Sequence, residues 1–295
     1  MTRIRLLALD MDDTLLRSDS SVSFRTRSAL RKTMAAGVIV VLVSSRTPAA
    51  MDQFSRILGF TKKRGYLVAN NGGLIQESDT GVIIRDIKIP PEAALLVFDM
   101  ADAEGFAVQI YDDDILYISR SNEFTEYDQK VTGLRQVVVE NFRSMVASGC
   151  RKMLIPGDPM LLSPLSKLLS MYADKARLVS VKPYLLEVLP HVDKGGALAA
   201  VAERLSISPG ETLAIGNSLN DEEMLRWAGF PVAMVNGDER IKEIASLVTG
   251  KTNDEDGVAE VIERYVIQGI PIPVGNTIEG NTVKNDNSEG GSVRS

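Results

Sequence analysis

Three aspartates in four positions, Asp10, Asp12 and Asp13, close the apolar run LLAL of a 295-residue chain. Acids packed at the end of a hydrophobic strand repel one another unless a proton or a cation shares the site, and hard carboxylate oxygens suit Mg²⁺. A second apolar run ends in Gly216-Asn217-Ser218-Leu219-Asn220-Asp221, where the side-chain oxygens of Asn217 and Asp221 could complete an octahedral magnesium with waters. A third, over residues 38–43, leads into Ser44-Ser45-Arg46, whose hydroxyls and helix-start N–H groups suit a phosphate. Lys194, inside VDKGG, opens a helix and offers a point charge to the same kind of anion. Each cluster has a plain alternative: an acidic surface turn at 10–13, helix caps at Asn217 and Ser44, a solvated surface lysine at 194. Brought together, the four would perform metal-assisted chemistry on a phosphate.

Composition narrows the choice. One cysteine, Cys150, permits neither an intrachain disulfide nor a cysteine-built zinc site. One histidine, His191, excludes multi-histidine metal sites, and no G-x-S-x-G elbow exists to receive it in a hydrolytic triad. Acid–base work therefore falls to carboxylates and lysines. With 33 Lys and Arg against 39 Asp and Glu, the formal charge is −6, which argues against a nucleic-acid partner. No apolar run approaches the roughly 20 residues that span a bilayer, so no membrane association is expected. The aspartates directly behind the first apolar run are unlike a signal peptide, and a cytoplasmic location is expected.

The elements that must position these residues follow from periodicity and punctuation. Residues 3–9 read as a buried strand, 24–36 as a helix with Ser23 as N-cap and Gly37 as stop, 38–43 as a second buried strand. A helix over 48–58, a strand over 66–69 and a turn at Asn70-Asn71-Gly72-Gly73 complete a strand–helix alternation that predicts a doubly wound parallel sheet. Ligands gather at the carboxyl ends of strands in such sheets, where the acids and serines stand. Asp79-Thr80-Gly81 then reads as a hairpin turn, and residues 83–188 as an inserted α+β unit of antiparallel strands, with helices over 92–103 and 161–173. Alternation returns with a helix after Asp193, strands over 212–215 and 231–234, and helices over 221–228, 240–245 and 257–266. The expected division is a core of 1–80 and 187–268, an insert of 81–186, and a disordered Asn-, Gly- and Ser-rich tail of 269–295.

D-x-D-x-T, a hydroxyl after a hydrophobic strand, a lysine and G-(D/N)-x-x-N-D, in that order, resemble the four motifs of the haloacid dehalogenase superfamily of phosphatases. LALDMDDTLL, VVLVSSR, VANNGG, VDKGGAL, AIGNSLNDEEML and KTNDEDGVAEVIE resemble its Cof-like branch over about residues 3–266. The resemblance implies a Rossmann-like core with an α/β cap, acting as a Mg²⁺-dependent phosphomonoester hydrolase on a small phosphorylated metabolite such as a sugar phosphate. It implies Asp10 as a nucleophile that becomes an aspartyl-phosphate, and Asp12 as the acid and then the base. Ser44, the Ser45 N–H, Lys194 and Asn220 would hold the phosphoryl oxygens. Mg²⁺ would be bound by Asp10, the Asp12 carbonyl oxygen and Asn217, with Asp221 as ligand or support.

The chain departs from the family pattern twice. Asn217 stands where the family usually has Asp, and Ser44-Ser45 where Thr-Gly is common. A phosphomutase and a non-catalytic phosphometabolite-binding protein are the alternatives, the latter motivated by Asn217. Retention of Asp10, Asp12, Lys194 and Asp221 argues against it. Cys150, His191 and Trp227 read as structural, and Asp112-Asp113-Asp114 as a solvated turn or a cap loop facing substrate.

Overall fold

A computed structural model describes residues 3–60, 64–112 and 115–271; the tail expected to be disordered lies outside them from residue 272 on. Five consecutive buried residues form β1 (Leu6–Asp10). A strand buried on both faces must run inside a sheet that helices cover on both sides. The chain then alternates through α1 (Phe24–Ala35), β2 (Ile39–Val43), α2 (Pro48–Leu58) and β3 (Gly65–Ala69). Ser23 caps α1 as its sequence position suggests, its hydroxyl accepting from the Thr26 N–H at 3.0 Å. The hairpin β4 (Leu74–Glu77) and β5 (Ile83–Asp86) extends the same sheet antiparallel to β3.

A second unit follows: α3 (Pro91–Ala103), β6 (Gln109–Asp112), β7 (Ile115–Ile118), α4 (Glu123–Thr132), β8 (Arg135–Val138), α5 (Phe142–Ala147), β9 (Met153–Pro156), α6 (Pro159–Leu169), β10 (Arg177–Lys182) and β11 (Leu185–Leu189). Its strands lie in the order β10-β11-β9-β6-β7-β8. They are antiparallel except for β7 and β8, which pair in parallel because α4 carries the chain back across the sheet between them. Period-two alternation sends Ile110, Met153, Ile155, Leu186 and Val188 into a core shared with α3, α5 and α6. Gln109, Tyr111, Lys152, Leu154 and Glu187 belong to the opposite face.

The chain returns through α7 (Lys194–Leu205), β12 (Thr212–Gly216), α8 (Glu222–Trp227), β13 (Phe230–Ala233), α9 (Glu239–Ile244), β14 (Leu247–Val248) and α10 (Gly257–Val261). The larger sheet has the order β14-β13-β12-β1-β2-β3-β4-β5, parallel from β14 to β3. Two apolar clusters cover its two faces. The architecture is the α/β doubly wound core with an α+β insertion. The boundary expected at 80/81 precedes β5, which is hydrogen-bonded into the larger sheet, and that expected at 186/187 falls inside β11. Among the described residues no helix is long and apolar enough to cross a membrane.

β1 lies between β2 and β12, with Asp10 beside Val43 and Leu9 beside Ile215. The chain leaves β1 toward one edge and returns at β12 on the other side. That switch opens a crevice at the carboxyl ends of the strands, where open α/β sheets bind ligands.

Candidate active site

Asp10 ends β1, only 5% exposed, and Lys194 begins α7, only 1% exposed, so neither is the solvated residue of the plain alternative. The Lys194 ammonium donates to Asp10 Oδ1 at 2.6 Å, to Asp221 Oδ1 at 2.6 Å and to Asn220 Oδ1 at 3.1 Å. Three elements converge there because two glycines let them. A Cβ on Gly195 would stand 2.4 Å from the Glu223 carbonyl oxygen, and one on Gly216 2.7 Å from Asp221 Cβ. Any side chain at either position would push α7 or β12 off α8.

Asp221 is fully committed. Its Oδ2 accepts from the N–H groups of Asn217 at 2.9 Å and Ser218 at 3.0 Å, while Oδ1 takes Lys194. Asn217 Oδ1 accepts from the Thr14 hydroxyl at 3.2 Å, which ties the loop after β12 to the loop after β1. In that second loop Asp13 adopts a left-handed φ of 55°, and its carbonyl accepts from Asn236 Nδ2 at 2.8 Å. Strain of this kind persists only where the surroundings enforce it.

The remaining expected residues sit on the neighbouring strand ends. Ser44 is buried; its Oγ accepts from the Arg46 N–H at 3.1 Å, and among the described residues its hydroxyl proton has no acceptor. Ser45 is half-buried, and among the described residues its N–H and hydroxyl have no partner. Asp12 is half-exposed, and Arg46 grips it with a fork, Nη2 to Oδ1 at 2.6 Å and Nε to Oδ2 at 3.0 Å. Sequence reasoning gave Arg46 no role. Its signal was its place directly after the serines, but only the β1–β2 register shows that it reaches Asp12.

The electrostatics of the centre are lopsided. Burial, followed by the Asp221 charge, pushes Asp10 up to about 7 from an ordinary 3.8, against the pull of Lys194. Burial works against the Lys194 ammonium too, but Asp10 and Asp221 outweigh it and hold its pKa above the usual lysine value. Two buried carboxylates against one cation leave a net charge of −1 when all three are ionised, room for a further cation. Among the described residues no three His, Cys, Asp or Glu side chains gather closely enough to hold a metal by themselves. The expected donor set does not require that, since it draws on Asp10, the Asp12 backbone carbonyl and the Asn217 amide oxygen, with Asp221 as a further ligand or as support. Asp10 Oδ2 accepts no hydrogen bond among the described residues. Oxygen donors and surplus negative charge fit Mg²⁺.

Beside this centre, a cleft of about 610 Å³ runs between the two units, lined by Ser45, Arg46 and Asn70 on one side and by Tyr111, Thr132 and Lys152 on the other. The residues read as structural stand apart. His191 is exposed, Trp227 half-buried against the core, and Cys150 buried, its thiol pushed up to about 12 by burial. Asp112 is exposed, while Asp113 and Asp114 lie outside the described residues.

A fold with the switch-point acids, serine and lysine in these positions defines a hydrolase of the haloacid dehalogenase type, and the family model for haloacid dehalogenase-like hydrolases matches residues 7–262. The chain belongs to that family, as an enzyme of its phosphatase class. It is 29% identical to YxeH of Bacillus subtilis, over 89% of this chain and 98% of that one. It is 26% identical to the 5-amino-6-(5-phospho-D-ribitylamino)uracil phosphatase YcsE of Bacillus subtilis, over 90% and 96%. A crystal structure of a haloacid dehalogenase-like hydrolase from Bacteroides thetaiotaomicron superposes with a TM-score of 0.82 at 29% identity, covering 89% of this chain and 99% of that one.

Proposed function

We propose that this chain is a Mg²⁺-dependent phosphomonoesterase that acts on a small phosphorylated metabolite through a covalent intermediate on Asp10. The observation that carries the reading is the buried Lys194 ammonium, 2.6 Å from both Asp10 and Asp221 at the switch point. A lysine so placed steers an incoming phosphoryl group onto Asp10 and balances charge as it arrives. Oδ2, the oxygen Lys194 leaves free, attacks phosphorus while the bond to the leaving oxygen breaks. Asp12 gives its proton to that oxygen, then takes one from the water that hydrolyses the aspartyl-phosphate. Ser44, the Ser45 N–H, Lys194 and the amide of Asn220 hold the equatorial oxygens.

Mg²⁺ held by Asp10, the Asp12 carbonyl and Asn217 would supply the positive charge that lets a carboxylate meet a phosphate dianion. Asp221, with both oxygens committed, supports Lys194 and the Asn217 loop. Arg46 keeps Asp12 at the mouth of the cleft until a substrate competes for the fork. The inserted unit, from α3 to β11 rather than the expected 81–186, serves as the cap that closes over the leaving group. A polyol-bearing substrate for the relative YcsE, by its name, supports a small metabolite here too. No observation favours the mutase or the non-catalytic alternative, because Asn217 keeps an oxygen donor. The test is a panel of phosphate esters, p-nitrophenyl phosphate included, assayed with Mg²⁺ and with chelator. Release of inorganic phosphate that chelator abolishes is expected; no release from any ester would contradict the reading.

A further inference from the structure

The segment KTNDEDGVAEVIE resembles the family pattern yet has no part in the proposed reaction. Its Asn253 is 8% exposed and donates from Nδ2 to the Leu16 carbonyl at 2.9 Å, while its N–H donates to Asn236 Oδ1 at 3.3 Å. Asn236 in turn donates from Nδ2 to the Asp13 carbonyl at 2.8 Å. The two amides thus pin the loop after β1 at two of its carbonyls. Neighbours of Asn253 fasten the residues that follow. Asp254 accepts from the Ser18 N–H at 2.9 Å and its hydroxyl at 2.6 Å, and Asp256 accepts from Arg17 at 2.9 Å.

The turn that carries Asn236 grips a second loop. The Asp238 N–H donates to the Asn217 carbonyl at 2.8 Å, and a Cβ on Gly237 would stand 2.6 Å from that same oxygen. Asn236, Gly237 and Asp238 therefore hold Asp13 on one side and Asn217 on the other. Those loops carry the Asp12 carbonyl and the Asn217 amide oxygen, two of the expected magnesium donors. Asp13 is where the first of them could slip. Its φ of 55° and ψ of 13° set the angle between the peptide that bears the Asp12 carbonyl and the next one. A left-handed aspartate relaxes to commoner backbone unless its surroundings hold it. Holding the Asp13 carbonyl therefore restrains the Asp12 carbonyl one peptide upstream.

We infer that Asn236, with Asn253 behind it, is a positioning residue that keeps the Asp12 carbonyl and the Asn217 amide oxygen at a fixed spacing before a cation arrives. The inference rests on the Mg²⁺-dependent hydrolase reading and concerns metal affinity rather than the chemical step. Asn236 spends both amide atoms on backbone groups, so it is not itself a ligand. Mg²⁺ demands near-octahedral donors, and donors that must first be reordered bind it more weakly. The loss of Asn236 is therefore felt in Mg²⁺ binding before it is felt in turnover.

The test compares full-length wild type with Asn236→Ala, an exposed substitution that empties no core. Mg²⁺ is titrated calorimetrically without substrate, melts are run with and without Mg²⁺, and hydrolysis of an ester that the wild type accepts is followed across Mg²⁺ concentrations. The Kd and half-saturating concentration for Mg²⁺ should rise about three- to tenfold, the range that loss of one hydrogen bond gives. The gain in Tm on adding Mg²⁺ should shrink, and kcat should return to within about twofold of wild type once Mg²⁺ saturates. Asn253→Ala releases the Leu16 carbonyl but keeps its own N–H on Asn236, and should raise the Kd by less; if that buried substitution does not fold, Asn236→Ala decides alone. A lower Tm without Mg²⁺ beside an unchanged Mg²⁺ Kd would make Asn236 merely structural and overturn the inference, leaving the hydrolase reading intact. A wild-type enzyme that binds no Mg²⁺ and releases no phosphate overturns both.

Discussion

Lys194 and Lys152 are both largely buried and both paired with carboxylates, yet they are built for opposite ends. Lys194 opens a helix and holds two acids from β1 and from the loop before α8, so its cluster keeps a surplus negative charge. Lys152 precedes a strand and meets one acid across the sheet, so its pair sums to zero. The first arrangement invites a divalent cation and a phosphoryl group. The second leaves only hydrogen-bonding capacity. The two buried clusters thus differ less in residue type than in whether their charges cancel.

Removing each lysine is the strongest way to break that contrast. Lys194→Met leaves the buried carboxylates of Asp10 and Asp221 without their shared counter-charge and should cost about 3–5 kcal/mol of stability. Lys152→Met strands a single, slightly more accessible acid and should cost clearly less, with denaturant midpoints as the measure. If Lys152→Met proved the more destabilising, the two clusters would not differ as described.

The same contrast governs what could be read from sequence. The parallel sheet was legible because LLALD and VIVVLV are runs of apolar residues, and Asp10 and Ser44 were legible because such strands end at a ligand crevice; Lys194, which opens a helix, stood out only through the family resemblance. The cleft wall was not legible. Tyr111, Lys152 and Glu187 meet only through the β6-β9-β11 register, which sets residues from distant parts of the chain side by side. Helix α4 gave no signal because it buries Thr125 and Asp128 rather than an apolar stripe, and β8 is a half-exposed edge strand with no buried residue. Arg46 was visible as a letter, but not as the partner of Asp12.

A smaller effect sharpens the catalytic side. Asn217→Asp adds a carboxylate beside the Asp12 loop, where Thr14 holds the amide oxygen at 3.2 Å. A net gain of about 1.4 kcal/mol would tighten Mg²⁺ roughly tenfold. The half-saturating Mg²⁺ concentration should therefore fall, and an unchanged one would remove Asn217 from the metal site.

The smallest effect belongs to the far end of β12. Hydrogen bonds from Ser208, then the Arg5 guanidinium, hold Glu211 down at about 2 from an ordinary 4.5. A lowered folded-state value means that its stabilisation is present above about 4.5 and disappears as the pH falls through about 2. Glu211→Gln should lower Tm slightly at pH 7, with the gap from wild type closing toward pH 2, and should leave turnover unchanged. A gap that persists at pH 2 would assign the loss to something other than the charge.

The central claim is that Asp10 becomes phosphorylated. Acid quenching of the enzyme within milliseconds of mixing with a ³²P-labelled ester and Mg²⁺, followed by peptide mapping, tests it most directly. The account predicts label on the peptide that contains Asp10, lost on hydroxylamine treatment as an acyl phosphate is, and absent from Asp10→Asn, whose turnover falls by at least about a thousandfold. Wild-type-like turnover by Asp10→Asn, or label carried by any other residue, would contradict it.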